Sequence, residues 1–166
     1  AIADFYRQRY NVAVPASRIV VTAGASGALL LAMACLCQPG SEWLLTDPGY
    51  PCNSNFVRSF DGVPVCIPVS AENNYQPNLA EVQHYWTEQT AGALFASPAN
   101  PTGTLIDDEV LHTIAACGTP SAASLLISVQ SSLVITLPIV SGWPLFTGET
   151  VQFSGGVDMP SSSFRR

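Results

Sequence analysis

The strongest constraint on this chain is a local pattern that repeats through its first two thirds: a short aliphatic or β-branched run, a turn rich in glycine or proline, then a helix-prone stretch. R-I-V-V-T (18–22) leads into A-G-A-S-G (23–27) and then A-L-L-L-A-M-A-C-L-C (28–37), ended by Q-P-G (38–40). This spacing predicts strand, tight turn and helix. The helix is apolar on every side, which predicts burial over most of its surface. E-W-L-L-T (42–46) predicts a second strand, ending at D-P-G-Y-P (47–51), where two prolines and a glycine force a rigid turn. V-P-V-C-I-P-V (63–69) predicts a third strand, its Pro64 and Pro68 suiting an edge position because proline has no N–H for a ladder. Asn78 is placed to cap a short helix reaching Trp86, and G-A-L-F-A-S (92–97) reads as a buried strand that ends in S-P-A-N-P-T-G (97–103).

Two helices flank this series. Ile2, Phe5, Tyr6 and Arg9 share one face of residues 1–10, followed by a loop over 11–17, while Asp107, Asp108 and Glu109 open a helix with Ile106, Val110, Leu111 and Ile114 facing inward. Strands alternating with helices at this spacing predict an α/β fold, a three-layer α/β/α arrangement with a mostly parallel sheet. Ligands of such sheets bind outside the carboxyl ends of the strands. The turns 23–27, 47–51 and 97–103 all follow predicted strands, so they are expected to cluster at one edge.

Composition supports one packed core and excludes several partners. Of 166 residues, 48% are hydrophobic and 11% charged, and the net charge of -6 leaves no basic surface for nucleic acid or anionic lipid. All six basic residues are arginines, so the chain contains no lysine. The five cysteines, Cys35, Cys37, Cys52, Cys66 and Cys117, are odd in number and lie in apolar stretches, which predicts small buried thiols in a reducing, cytoplasmic setting. None stands at zinc-site spacing, and no metal site is expected. The sequence begins at Ala1 without a basic start and apolar run, so no secretion signal is expected and the beginning reads as truncated.

Beyond Cys117 the pattern changes. No residue of 110–148 is charged, and the last 49 residues hold ten serines. L-L-I-S-V-Q-S-S-L-V-I-T-L-P-I-V (125–140) falls short of the ~20 apolar residues of a span and carries Gln130, three serines and Pro138. It is read as one or two β-prone or irregular segments, with a membrane span as the lesser alternative.

Three segments carry chemistry. Ala25 and Ser26, between a strand and a helix, would present backbone N–H groups and a hydroxyl at a helix N-terminus, a place for phosphate. The segment approaches the G-x-S-x-G nucleophile elbow but is one residue short, with Gly27 directly after Ser26, so a serine hydrolase using Ser26 with His84 or His112 stands as an alternative. His84, beside Tyr85 and Trp86, reads more simply as a packing residue.

Together, T-A-G-A-S-G-A-L (22–29), D-P-G-Y-P-C-N (47–53) and S-P-A-N-P-T-G-T (97–104) resemble, in order and separation, the cofactor-site segments of the pyridoxal-phosphate-dependent aminotransferases of class I/II. The resemblance covers residues 1–117 and implies part of that family's large, cofactor-binding domain. It further implies that Ala25 and Ser26 hold the cofactor phosphate, that Tyr50 stacks on the pyridine ring, and that Asn100 donates to the ring oxygen. The implied substrates are an amino acid and a 2-keto acid, and the implied assembly is a homodimer. The family also uses a lysine that joins the cofactor as a Schiff base, and an aspartate on the pyridinium nitrogen. With no lysine, and no D-E-x-Y or S-x-S-K after residue 117, this chain is expected to be inactive alone and to bind pyridoxal 5'-phosphate weakly. Residues 118–166 are read as a divergent tail from a shifted frame or a rearranged gene. A non-enzymatic or membrane-tethered binding domain is the remaining alternative.

Overall fold

The computed structural model describes residues 1–107, 110 and 111, 124–129 and 132–136. The chain divides into two compact units, one containing Ala1–Val21 and the other Thr22–Thr150.

In the first unit, helix α1 (Ile2–Tyr10) forms as its periodicity predicts. Asp4 pairs with Arg7 one turn on and lies 3.5 Å from the α-amino group. Asn11 ends the helix in the left-handed conformation at φ 54, returning its N–H to the Arg7 carbonyl. The strand expected over 18–22 is not formed. Ala16–Arg18 make one 3-10 turn, and Val20 and Val21 stand 71% and 77% exposed. β-branched residues favour a pleated, half-buried surface, and these have no ladder neighbour among the described residues to provide one.

The second unit is built on a sheet. Helix α2 (Gly24–Leu36) precedes strand β1 (Glu42–Asp47), helix α3 (Cys52–Arg58) and strand β2 (Val63–Pro68); helix α4 (Leu79–Tyr85) and strands β3 (Thr90–Ala96), β4 (Ser124–Val129) and β5 (Ser132–Thr136) follow. The sheet order is β2-β1-β3-β4-β5, parallel throughout except for the β4–β5 pair. β2 is an outer strand, where Pro64 and Pro68 leave no central ladder bond unmade. β4 pairs in parallel with β3, Gly92 opposite Ser124 and Ala96 opposite Ser128, so the sheet continues past residue 117, and the described residues 124–129 and 132–136 are strands.

Successive side chains of each strand point to opposite faces, which sorts the core into two clusters. Leu44, Ile67, Ala93 and Phe95 pack with Val82 of α4 and with Ile106 on one face. Trp43, Leu45 and Leu94 pack with Leu29, Ala32 and Met33 of α2 and Val57 of α3 on the other. The result is the expected three-layer α/β/α fold.

Two expectations about burial require correction. α2 covers the sheet with one stripe only: Leu29, Ala32 and Met33 are buried, while Leu30 and Leu31 are 41% and 49% exposed. A helix lying on one face of a sheet buries the side it presents, whatever the composition of its far side. The cysteines are not buried as a class either. All four within the described residues are free thiols, with Cys35 and Cys66 exposed and Cys37 and Cys52 half-buried. Cys35 occupies the outer side of α2, and Cys66 alternates with buried Ile67 on an outer strand. Cys117 lies outside the described residues.

Candidate functional site

The site is assembled at the end of the sheet where β1 and β3 both finish. Because the two strands are parallel neighbours, the turns that leave them emerge from the same edge. α2 begins at this edge too, as its contact with the β1 turn shows below.

The first turn of α2 starts earlier than expected and absorbs Gly24, Ala25 and Ser26 into the helix. Gly24 adopts φ +79, a conformation costly for residues bearing a Cβ. Thr22 Oγ1 donates to the Gly24 carbonyl at 2.8 Å. Ala23 precedes the helix and has no side chain that could cap it, so the first N–H groups are not satisfied by a capping side chain. Ala25 and Ser26 are exposed beside them.

Tyr50 is placed by steric exclusion. A Cβ on Gly49 would lie 2.4 Å from the Thr46 carbonyl oxygen and 3.0 Å from Thr46 Oγ1, so only glycine allows the chain to fold back this tightly after β1. The Tyr50 carbonyl then accepts from the Asn53 N–H at 3.0 Å as α3 begins. This brings the half-buried Tyr50 hydroxyl to 3.4 Å from Ser26 Oγ, joining residues 24 positions apart. The hydroxyl partner of Ser26 is therefore a tyrosine. His84 makes an edge-on contact with Tyr85, ring centres 5.1 Å apart, in keeping with packing; His112 lies outside the described residues.

Asn100 stands exposed in the loop after β3, and its carboxamide makes no hydrogen bond to another described residue. The loop around it is heavily braced. The Ala99 N–H donates to the Thr104 carbonyl and the Gly103 N–H to the Ala99 carbonyl, both at 2.8 Å, and the Ile106 N–H donates to Ser97 Oγ at 3.2 Å. Asn100 thus shares the sheet edge with Ser26 and Tyr50 without touching either.

Sequence reasoning missed two residues here. Gln76 reaches under the 97–104 loop from the connection between β2 and α4 and donates to the carbonyls of Ala96, just before the loop, and Thr104, at its end; a lone glutamine in a turn gives no signal of this. Asn53 is buried with Oδ1 unpartnered among the described residues, an arrangement that costs about 1–3 kcal/mol unless a donor is supplied from elsewhere. Its sequence signal is its place at the end of the D-P-G-Y-P-C-N segment, three residues after Tyr50.

Titration adds one observation. The Cys66 thiol is pushed above its ordinary value, first by partial burial of the sulfur and then by the Asp47 carboxylate, against a lowering by Arg58. Although much of the residue is exposed, it is not an activated nucleophile. Among the described residues no group of three or more His, Cys, Asp or Glu could hold a metal, and no helix is long and apolar enough to cross a membrane.

The sequence pattern of the aminotransferase class I and II family matches residues 1–125. The chain belongs to this family. It is 37% identical over 118 residues to a valine–pyruvate aminotransferase of Mycobacterium tuberculosis and 36% identical over 115 residues to a probable aspartate/prephenate aminotransferase of Aquifex aeolicus. Each alignment takes in 69% of this chain and 29% of the relative, so the chain spans under a third of the length of these aminotransferases. Among solved structures, an aminotransferase from Mycobacterium tuberculosis superposes with a TM-score of 0.71 at 33% identity, covering 76% of this chain and 32% of that one. A Thermus thermophilus aspartate aminotransferase bound to maleate gives 0.71 at 26% identity, covering 77% and 34%. Class I and II aminotransferases depend on pyridoxal phosphate and act on amino acids and keto acids.

Proposed function

We propose that this chain forms the phosphate- and ring-binding part of the cofactor site of a pyridoxal-phosphate-dependent aminotransferase, one that moves an amino group between an amino acid and a 2-keto acid. The observation that carries this reading is the meeting of Ser26 at the uncapped start of α2 with Tyr50 at the exit of β1, 3.4 Å apart. The residues present fit the phosphate and ring of the cofactor. A dianionic phosphate suits the positive end of a 13-residue helix that no side chain caps, where Ala25 contributes its backbone N–H and Ser26 its hydroxyl. Tyr50 offers a ring face, worth about 0.5–1.5 kcal/mol beyond area burial in an offset stack. Its hydroxyl, held by Ser26, keeps that ring from swinging away. Asn100, with an uncommitted carboxamide, would donate to the ring oxygen and favour its ionised form.

When bound, the cofactor supplies an electron sink that stabilises negative charge at the substrate carbon. This chain orients the group and shields one ring face, but it has no lysine to bind it covalently or to carry the transferred proton. Residues 1–117 are read as part of the large domain, and 118–166 as a tail that does not supply the missing lysine or aspartate. The unpartnered Asn53 Oδ1 supports a site that further chain completes. A cytoplasmic location and a homodimeric complete enzyme belong to the same proposal.

Two assays test it. Pyridoxal 5'-phosphate should bind weakly, with affinity reduced about fivefold by Tyr50→Ala on losing ~1 kcal/mol of stacking. The chain alone should not exchange amino groups between an amino acid and a keto acid. Turnover that Tyr50→Ala abolishes would contradict the predicted inactivity, and binding indifferent to Ser26, Tyr50 and Asn100 would contradict the site.

A further inference from the structure

We propose that Gln76 is a positioning residue for Asn100, a brace that sets the direction in which the Asn100 carboxamide is presented; this rests on the cofactor-site reading above. Gln76 is 6% exposed, and its Nε2 donates to the Ala96 carbonyl at 3.2 Å and to the Thr104 carbonyl at 2.7 Å. Ala96 is the last residue of β3, and Thr104 is the residue at which the loop closes on itself through the Ala99 N–H. One side-chain amide therefore ties together both ends of the segment that carries Asn100. With Nε2 gone, both carbonyls would lose a buried donor, and the loop would rely on its own short-range bonds, Ala99–Thr104, Gly103–Ala99 and Ile106–Ser97.

The backbone around Gln76 is shaped for this task. Asn74 and Tyr75 both take left-handed conformations, φ 56 and 53, which for a tyrosine is a rare and strained choice. Two such residues in succession turn the chain so that Gln76 enters the protein beneath the loop. The turn is held on both sides. Ser70 and Asn73 form one reciprocal cap and Asn78 and Glu81 another, and Asn73 Nδ2 bridges them to Glu81 Oε1 at 3.0 Å. The Tyr75 N–H donates to the Ser70 carbonyl at 2.7 Å. A strained conformation braced this fully, ending in a buried amide bonded to both ends of a loop, is the pattern of a support for a presented side chain.

The probe for the test is pyridoxine 5'-phosphate, whose alcohol cannot condense with the α-amino group of Ala1. Its binding to the whole chain, and the titration of its bound ring hydroxyl by absorbance, are measured for wild type, Gln76→Met, Asn100→Ala and the double variant. Gln76→Met and Asn100→Ala should each weaken binding about fivefold, on the scale of one net hydrogen bond. The double variant should be no weaker than Asn100→Ala alone, and both single variants should raise the ring-hydroxyl titration point. Ser26→Ala should add fully to Gln76→Met, because the phosphate contact is independent. Additivity of Gln76→Met with Asn100→Ala, or an unmoved titration point, would overturn the proposal. Amide hydrogen exchange of the unliganded chain separates this outcome from a failure of the cofactor-site reading. Gln76→Met should speed exchange at Ala99 and Gly103 and leave Leu44 and Leu45 of β1 unchanged. If wild type does not bind the probe, the cofactor-site reading falls while this exchange pattern still decides whether Gln76 braces the loop; uniform or absent change overturns the brace.

Discussion

The turns that leave β1 and β3 look alike in sequence, each setting one useful side chain among prolines, yet they are held by different means. The 47–51 turn is determined locally: Gly49 is the one residue type that clears the Thr46 carbonyl, and α3 starts at once to fix the Tyr50 backbone. The 97–103 loop, beyond its own short-range bonds, is tied from a distance by the Gln76 amide some twenty residues upstream of β3's end. A site built from both kinds of support is sensitive to two kinds of damage. Sterically locked turns fail by overpacking, whereas a braced loop fails when its remote partner is lost.

The largest effect should come from breaking the local turn. Gly49→Val is expected to destabilise the fold by about 3 kcal/mol, the upper end for an overpacked site, and to separate Tyr50 from Ser26. Chemical denaturation measures the first, and loss of phosphate-ligand binding the second. A loss below 0.5 kcal/mol, roughly the level of a neutral surface change, would show that the turn is not sterically locked.

A smaller effect should come from the remote support. Asn78→Ala removes the side chain that accepts from the Glu81 N–H at 2.9 Å and should cost about 1 kcal/mol, the usual worth of an N-cap. The sharper readout is where the loosening goes: amide exchange should quicken at residues 99 and 103 while Asn53 keeps its protection. Equal loosening of both turns would dissolve the distinction between them.

The smallest effects concern groups at the margins. Tyr50→Phe deletes only a 3.4 Å hydroxyl contact to the exposed Ser26 and should change stability by at most about 0.5 kcal/mol. Cys66, its thiol raised chiefly by partial burial, stays protonated at neutral pH to a greater degree than an ordinary cysteine. Its alkylation should therefore lag behind that of exposed Cys35 at pH 7 and catch up as pH rises, as read by mass spectrometry of iodoacetamide-treated protein. Preferential labelling of Cys66 at pH 7 would contradict the assigned shift.

The same contrast explains how much was legible in the sequence. Features with a local cause were readable: the Asn78 cap, the proline-bearing outer strand β2, the buried run of β3 and the rigid turn at Tyr50 all follow from neighbouring residues. Features with a distant cause were not. Residues 18–22 have strand propensity but no partner strand among the described residues, and on the outer side of α2 the apolar Leu30 and Leu31 stand exposed. Helix α3 escaped notice because C-N-S-N is poor in helix formers, and what holds it is Val57 packed against Trp43 and Leu94 in the core. Ala25, Ser26, Tyr50 and Asn100 could be chosen from three segments in order, but Gln76 could not. Nothing in Y-Q-P announces a buried brace.

The most direct test of the central claim is a backbone-amide NMR titration of the whole chain with pyridoxine 5'-phosphate. The account predicts saturable shifts concentrated at Ala25, Ser26, Tyr50 and Asn100, with the largest at the first turn of α2. Shifts scattered over the surface, or none at these four residues at concentrations where inorganic phosphate also has no effect, would contradict it.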